Sequence, residues 1–275
     1  MNYRHGFHAG NHADCLKHAL LTALIRLLQN KPGGLAILDT HAGTGRYRLD
    51  GEEAGRTGEW KDGIGRLLDI SPEDPALAHW LGLVRNRGPQ VYPGSPDIAA
   101  GMLRPQDRLV CCELHPEDAA TLRRLFRGNP AVAVHERDGY GAIRALWPVR
   151  GFTRGLILMD PPFEKSDDFE RLAEAVAEAR RRLRGACVAI WYPVKHRTPV
   201  RSFFDRLRDQ GERGLLATEL LLRPPTDPSR LNGSGLLLIN PPWKFDETAR
   251  KITDTLARRL GNEESRGSVE WIVPE

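Results

Sequence analysis

Four short apolar runs, each closing on an acidic residue, constrain this chain more than any other feature. Residues 35–38 (L-A-I-L) stop at Asp39, 108–112 (R-L-V-C-C) at Glu113, and 156–159 (L-I-L-M) at Asp160; 131–135 (A-V-A-V-H) are followed by Asp138-Gly139. Apolar runs that do not alternate with polar residues suit strands covered on both faces, as in a parallel sheet packed between helices. If the four strands are parallel, the four acids collect along one carboxyl edge, where open α/β sheets bind ligands. Any one acid could simply cap the helix that follows its strand. Four in series describe a site.

Asp160-Pro161-Pro162-Phe163 is the most specific of these strand ends. The prolines fix the backbone and remove two N–H donors, which leaves carbonyl acceptors beside a carboxylate, while Phe163 offers a flat apolar face. The set suits a planar ring that bears an amino group. The lone pair of an adenine N6 amine is delocalised into the ring until acceptors bond its hydrogens. Asp160 and the Pro161 carbonyl are placed to be those acceptors, and a base stacked on Phe163 gains about 1–3 kcal/mol. A second tetrapeptide, Asn240-Pro241-Pro242-Trp243, follows the apolar run 236–239. It comes late in the chain, after a strand expected to pair with 215–222, so Asp160 is the catalytic candidate and Asn240 is expected to border the same crevice.

Composition excludes more than it selects. With 275 residues, 40% hydrophobic and 28% charged, the chain can bury a full core as one large domain, and +4 with a pI near 9.0 permits a polyanionic partner without requiring one. No signal peptide opens the sequence, and no run approaches the roughly 20 apolar residues of a membrane helix. Cys15, Cys111, Cys112 and Cys187 form no C-x-x-C, and strand neighbours such as Cys111 and Cys112 point to opposite faces. A reducing, cytoplasmic setting is the expectation.

The N-terminal stretch crowds His5, His8, His12 and His18 with Tyr3 and Arg4 around Gly6 and Gly10. The spacing gives no zinc motif, so no metal is expected. Asn11 with Asp14 has the form of a capping box for a helix that carries Lys17 and His18 in its first turns. After Asp39, T-H-A-G-T-G makes a tight glycine turn without a dinucleotide or P-loop fingerprint. The gap from Asp39 to Glu113 far exceeds the roughly 20 residues that usually separate such a turn from a ribose-binding acid. A helical insertion over residues 50–92, covering the site or its substrate, accounts for the excess. Glu113 could accept both ribose hydroxyls, Asp138 could bond an adenine amine, and Ser95 could cap a helix. Lys195, His196, Arg197 and Arg201, leaving a strand's carboxyl end, are the candidate phosphate contacts.

The D-P-P-F tetrapeptide resembles the fourth motif of amino-methyltransferases that use S-adenosylmethionine, and the turn after Asp39 is similar to their first. Over nearly the whole chain, Y-R-H-x-F-H-A-G-N-H-A-D-x-L-K-H at 3–18, L-D-T-H-A-G-x-G-R-Y at 38–47, Y-P-G-S-P at 92–96, E-L-H-P at 113–116, W-Y-P-V at 191–194 and N-P-P-W-K at 240–244 resemble the RlmJ family of 23S ribosomal RNA adenine-N6 methyltransferases. The resemblance implies a Rossmann-like class I fold, a mostly parallel seven-stranded sheet with helices on both faces, in a single domain over 1–275. It further implies that His18, His41, Ser95, Glu113, Asp138, Gly139 and Asp160 contact S-adenosylmethionine. In the same way Asp160 becomes the catalytic acceptor, Tyr3 touches the RNA, and Lys17 supports the site. A monomer acting on 23S RNA, with no membrane partner, is expected; a DNA adenine-N6 methyltransferase shares the core motifs and is the alternative.

Overall fold

The computed structural model describes residues 4–274. Its strands are β1 (Ala36–Asp39), β2 (Arg46–Arg48), β3 (Val91–Pro93), β4 (Arg108–Glu113), β5 (Val132–Glu136), β6 (Gly155–Met159), β7 (Cys187–Val194), β8 (Leu215–Leu221), β9 (Gly233–Ile239) and β10 (Arg266–Val273). The helices are α1 (His12–Leu28), α2 (Glu52–Thr57), α3 (Glu59–Asp62), α4 (Pro75–Arg85), α5 (Ser95–Ala100), α6 (Pro116–Leu125), α7 (Gly139–Leu146), α8 (Asp168–Arg182), α9 (Arg197–Asp209) and α10 (Phe245–Leu260).

The main sheet runs β10-β8-β9-β7-β6-β1-β4-β5, and β2 and β3 form a separate antiparallel pair. The strands β7, β6, β1, β4 and β5 are mutually parallel. They are also the apolar runs, and β1 and β6 are buried at every position. The sheet is mostly parallel as expected but, among the described residues, has eight strands rather than seven. The extra strand is β10, whose R-G-S-V-E-W-I-V mixes polar and apolar residues and pairs antiparallel with β8 at the edge.

Alternation sorts the strand side chains into two cores. Ile37, Leu109, Cys111, Leu156 and Leu158 face α1, α4, α5, α6 and α10. Ala36, Leu38, Val110, Cys112, Ile157 and Met159 face α7, α8 and α9. Cys111 and Cys112 therefore lie on opposite faces, and all four cysteines are free and buried. Helix α1 is enclosed: Leu16, Leu20 and Leu24, on one helical stripe, have no exposed surface, and the helix packs against α4, α5, α10 and β9. Burial at this level stabilises by about 1.5–3 kcal/mol per side chain, which fixes the helix tightly enough to aim its first turns. Among the described residues, no helix is long and apolar enough to cross a membrane.

Candidate active site

A cavity of about 340 Å³ opens at the carboxyl edge of β6, β1, β4 and β5. Glu113, Asp138 and Asp160 line it together with Gly139, Ser95, His41, His18 and Lys17. Of the four strand-end acids, Asp39 alone stays behind the wall. It is 1% exposed and accepts a 2.7 Å hydrogen bond from Ser95 Oγ, so Ser95 is fixed by an acid beneath the surface. Burial drives the Asp39 carboxyl up to about 7.

Asp160 emerges from β6 directly onto the Lys17 ammonium, which donates to its Oδ2 at 2.5 Å. Lys17 also meets Asp14 Oδ1 at 2.9 Å, and its side chain is 4% exposed. Burial alone would lower the lysine; the Asp14 and Asp160 carboxylates outweigh it and hold the ammonium above its ordinary value. Burial would likewise raise Asp14, but His5, Lys17 and His18 keep it well below the usual carboxylate range. Pro161 and Pro162 line the cavity beside Asp160. Phe163 sits in the left-handed region at φ 50°, a conformation that bulky residues rarely adopt. Its ring packs on Phe169 and Trp191, with centroids at 5.0 and 5.7 Å, and does not line the cavity wall.

The opposite half of the cavity has the features of a nucleoside cradle. Glu113 accepts the Gly43 N–H through Oε2 and the His115 N–H through Oε1, each at 2.8 Å. One lone pair on each oxygen remains for a diol. Gly43 has φ 60°, and a Cβ there would lie 2.1 Å from the Tyr47 hydroxyl. A Cβ at Gly139 would lie 2.2 Å from the Thr40 carbonyl oxygen, so α7 starts against the β1 turn. Asp138 caps α7 by accepting from Gly141 N at 2.7 Å and lies 3.6 Å from Arg171. His41 Nδ1 is hydrogen-bonded to Thr40 Oγ1 and its ring meets the edge of Tyr140, while His18 Nδ1 is bonded to the Tyr92 hydroxyl at 2.8 Å. The Tyr140 hydroxyl and His115 Nδ1 are buried at this cavity without a hydrogen-bond partner among the described residues. Buried polar atoms of that kind call for a polar ligand, and a nucleoside with an amino-acid arm fits the donors and acceptors present.

Other expectations are redistributed. Strand β9 is antiparallel to β7, with Ile239 opposite Val188 and Gly233 opposite Val194. Asn240 therefore leaves the sheet at the edge opposite Asp160, near Gly185, whose carbonyl it bonds at 2.9 Å, and does not border the crevice. His5 reaches the cavity; His8 is bonded to Glu59 instead. Arg197 is held by Glu219 at 2.6 Å, which commits that phosphate candidate to an internal ion pair. Tyr3 lies outside the described residues. Tyr140 and Arg171, the latter 4.4 Å over the Tyr140 ring, line the cavity without a motif that announces them.

The profile of a family described as "Ribosomal RNA large subunit methyltransferase D, RlmJ" matches residues 32–273. The chain is 41% identical to a Haemophilus influenzae protein and 39% identical to an Escherichia coli protein, both named ribosomal RNA large subunit methyltransferase J, over the full length of each. A crystal structure of a Legionella pneumophila protein superposes with a TM-score of 0.87 at 31% identity, covering 96% of this chain and 98% of that one.

Proposed function

Because this chain belongs to the RlmJ family of large-subunit ribosomal RNA methyltransferases, we propose that it moves a methyl group from S-adenosylmethionine to the N6 amine of an adenine in 23S ribosomal RNA. The observation that carries the reading is the juxtaposition of Asp160, two prolines and the Glu113 cradle on one edge of the parallel sheet. When bound, S-adenosylmethionine supplies an electrophilic methyl group on a sulfonium. We assign its ribose to Glu113, its adenine to the Asp138-Gly139 turn and its amino-acid arm to the end of the cavity formed by His18, His41, Ser95 and Asp160.

The remaining chemistry belongs to the chain. Asp160 and the Pro161 carbonyl accept the amine hydrogens of the target base and draw the nitrogen lone pair out of conjugation. A carboxylate fixed on a strand end does this without reorganising, the condition under which acceptors lower a barrier most. Lys17 orients Asp160 through its 2.5 Å hydrogen bond to Oδ2, and alignment in the cavity supplies much of the remainder. A base must leave its stack to reach the cavity, so the target lies in a single-stranded or weakly paired stretch.

We read residues 50–92 as an insertion that shapes the acceptor side of this site. Glu59 bonds His8 and Asn11, and Thr57 donates to the Phe7 carbonyl, so the segment braces the N-terminal stretch that carries His5 into the cavity. Competition between unmodified 23S RNA and duplex DNA of the same sequence tests the substrate class. Label is expected in RNA; equal or greater transfer to DNA would replace this reading with the DNA alternative.

A further inference from the structure

Asp14 stands at the junction of everything that reaches Asp160 from the N-terminal side. Its Oδ2 accepts from His5 Nε2 at 2.9 Å and from the Gly10 N–H at 3.0 Å, and its Oδ1 meets Lys17 Nζ at 2.9 Å. The side chain is 2% exposed. A carboxylate in the first turn of a helix ordinarily serves the helix end. Here that task falls to Asn11, whose side chain accepts from the N–H groups of Ala13 and Asp14. The reciprocal half of a capping box is not made: Asn11 N–H goes to the His8 carbonyl. Asp14 is turned away from the cap and toward His5 and Lys17.

We propose that Asp14 is a positioning residue for methyl transfer, holding Lys17 on Asp160 and His5 at the cavity mouth through one shared carboxylate. The proposal deepens the reading of Asp160 as acceptor and rests on it. While Asp160 turns one oxygen to the target amine, Lys17 keeps a second anion, so the buried ammonium is never left unpaired. The same carboxylate fastens the stretch 5–10, which places His5 between the catalytic cavity and the adjoining groove at Arg46 and Tyr47. Asp14 thereby couples the placement of the N-terminal stretch to the orientation of the acceptor.

The titratable groups in the field of Asp14 are His5, His8, His12, Cys15, Lys17, His18 and Tyr92. Replacing it with a neutral isostere removes one of the two anions that raise Lys17. Among the described residues Asp160 is then the one carboxylate left at hydrogen-bond distance from Lys17. The test compares wild type, Asp14→Asn and Asp14→Glu for kcat and KM on 23S RNA, with hydrogen exchange of residues 5–10 as a readout independent of turnover. Asp14→Asn is expected to lower kcat by roughly 10-fold or more with KM for S-adenosylmethionine nearly unchanged and to speed exchange in the 5–10 segment; Asp14→Glu is expected to restore part of the rate. A variant that keeps wild-type kcat overturns the proposal, as does one that loses only thermal stability while the folded fraction turns over normally. Absence of methyl transfer by the wild type would overturn the acceptor reading, whereas unchanged exchange in Asp14→Asn would overturn the tether alone.

Discussion

Removing the Asp160 carboxylate leaves the Lys17 ammonium with Asp14 as its remaining partner at hydrogen-bond distance. The buried charge is still compensated, so Asp160→Ala is expected to fold. Its kcat should fall by about 10²–10³ or more while affinity for 23S RNA stays within a few-fold. Parallel loss of RNA affinity and rate, read by filter binding and initial rates, would mean that Asp160 binds rather than activates. On the other side of the cavity, Glu113→Ala removes the acceptor assigned to the ribose diol. KM for S-adenosylmethionine should rise by roughly 10-fold or more with a smaller change in kcat, and an unchanged KM would move the nucleoside elsewhere. Asp160 and Glu113 were legible because each closes an apolar run. Asp14 was legible only as half of a capping box, because the partner that gives it meaning beyond α1 is Lys17 on Asp160, 143 positions away in sequence. Phe163 was read as a free stacking face, whereas its ring is engaged by Phe169 and Trp191, residues that only the folded chain brings together.

Elements place these residues, and their directions decide which motifs share a site. Asp160 and Asn240 carry near-identical tetrapeptides at the ends of apolar strands, yet β6 is parallel and β9 antiparallel to the strand between them, β7. A local motif has no strand direction; pairing supplies it. The pairing of β8 with β9 followed from two apolar runs near each other in sequence. Strand β10 was harder, since an edge strand with a wet side lacks the continuous apolar run that marks the centre of the sheet. Packing of the α7 start on the β1 turn also has a consequence. Gly139→Ala forces a methyl group onto the Thr40 carbonyl, a backbone atom that cannot swing aside. The substitution should cost about 1–3 kcal/mol in denaturant unfolding and raise KM for S-adenosylmethionine. A variant with wild-type stability and KM would show that α7 can slide without disturbing the cradle.

At the scale of the molecule, burying a ligand edge inside a fold leaves titrating groups whose charges oppose folding. His12, His18 and His41 are pushed down to about 4, about 3 and about 4 by burial, so their neutral forms contribute stability above 6.5 that is lost as pH falls. Asp39, pushed up to about 7, acts with the opposite sign: its contribution is complete below 3.8 and lost as pH rises through about 7. Between about pH 6.5 and 4 the three histidines outnumber the one acid, so the unfolded chain binds more protons and stability should fall on acidification. Thermal melts across that range check the sign; a Tm that rises toward pH 4 would contradict it. The same buried edge is where the chemistry is assigned, and the most direct test is nucleoside analysis of unmodified 23S RNA after incubation with S-adenosylmethionine and either wild-type protein or Asp160→Ala. N6-methyladenosine formed by the wild type and absent with the variant is the predicted result. A methyl group on another base or on ribose, or N6-methyladenosine formed equally by the variant, would contradict the assignment of Asp160 as the acceptor that activates an adenine amine.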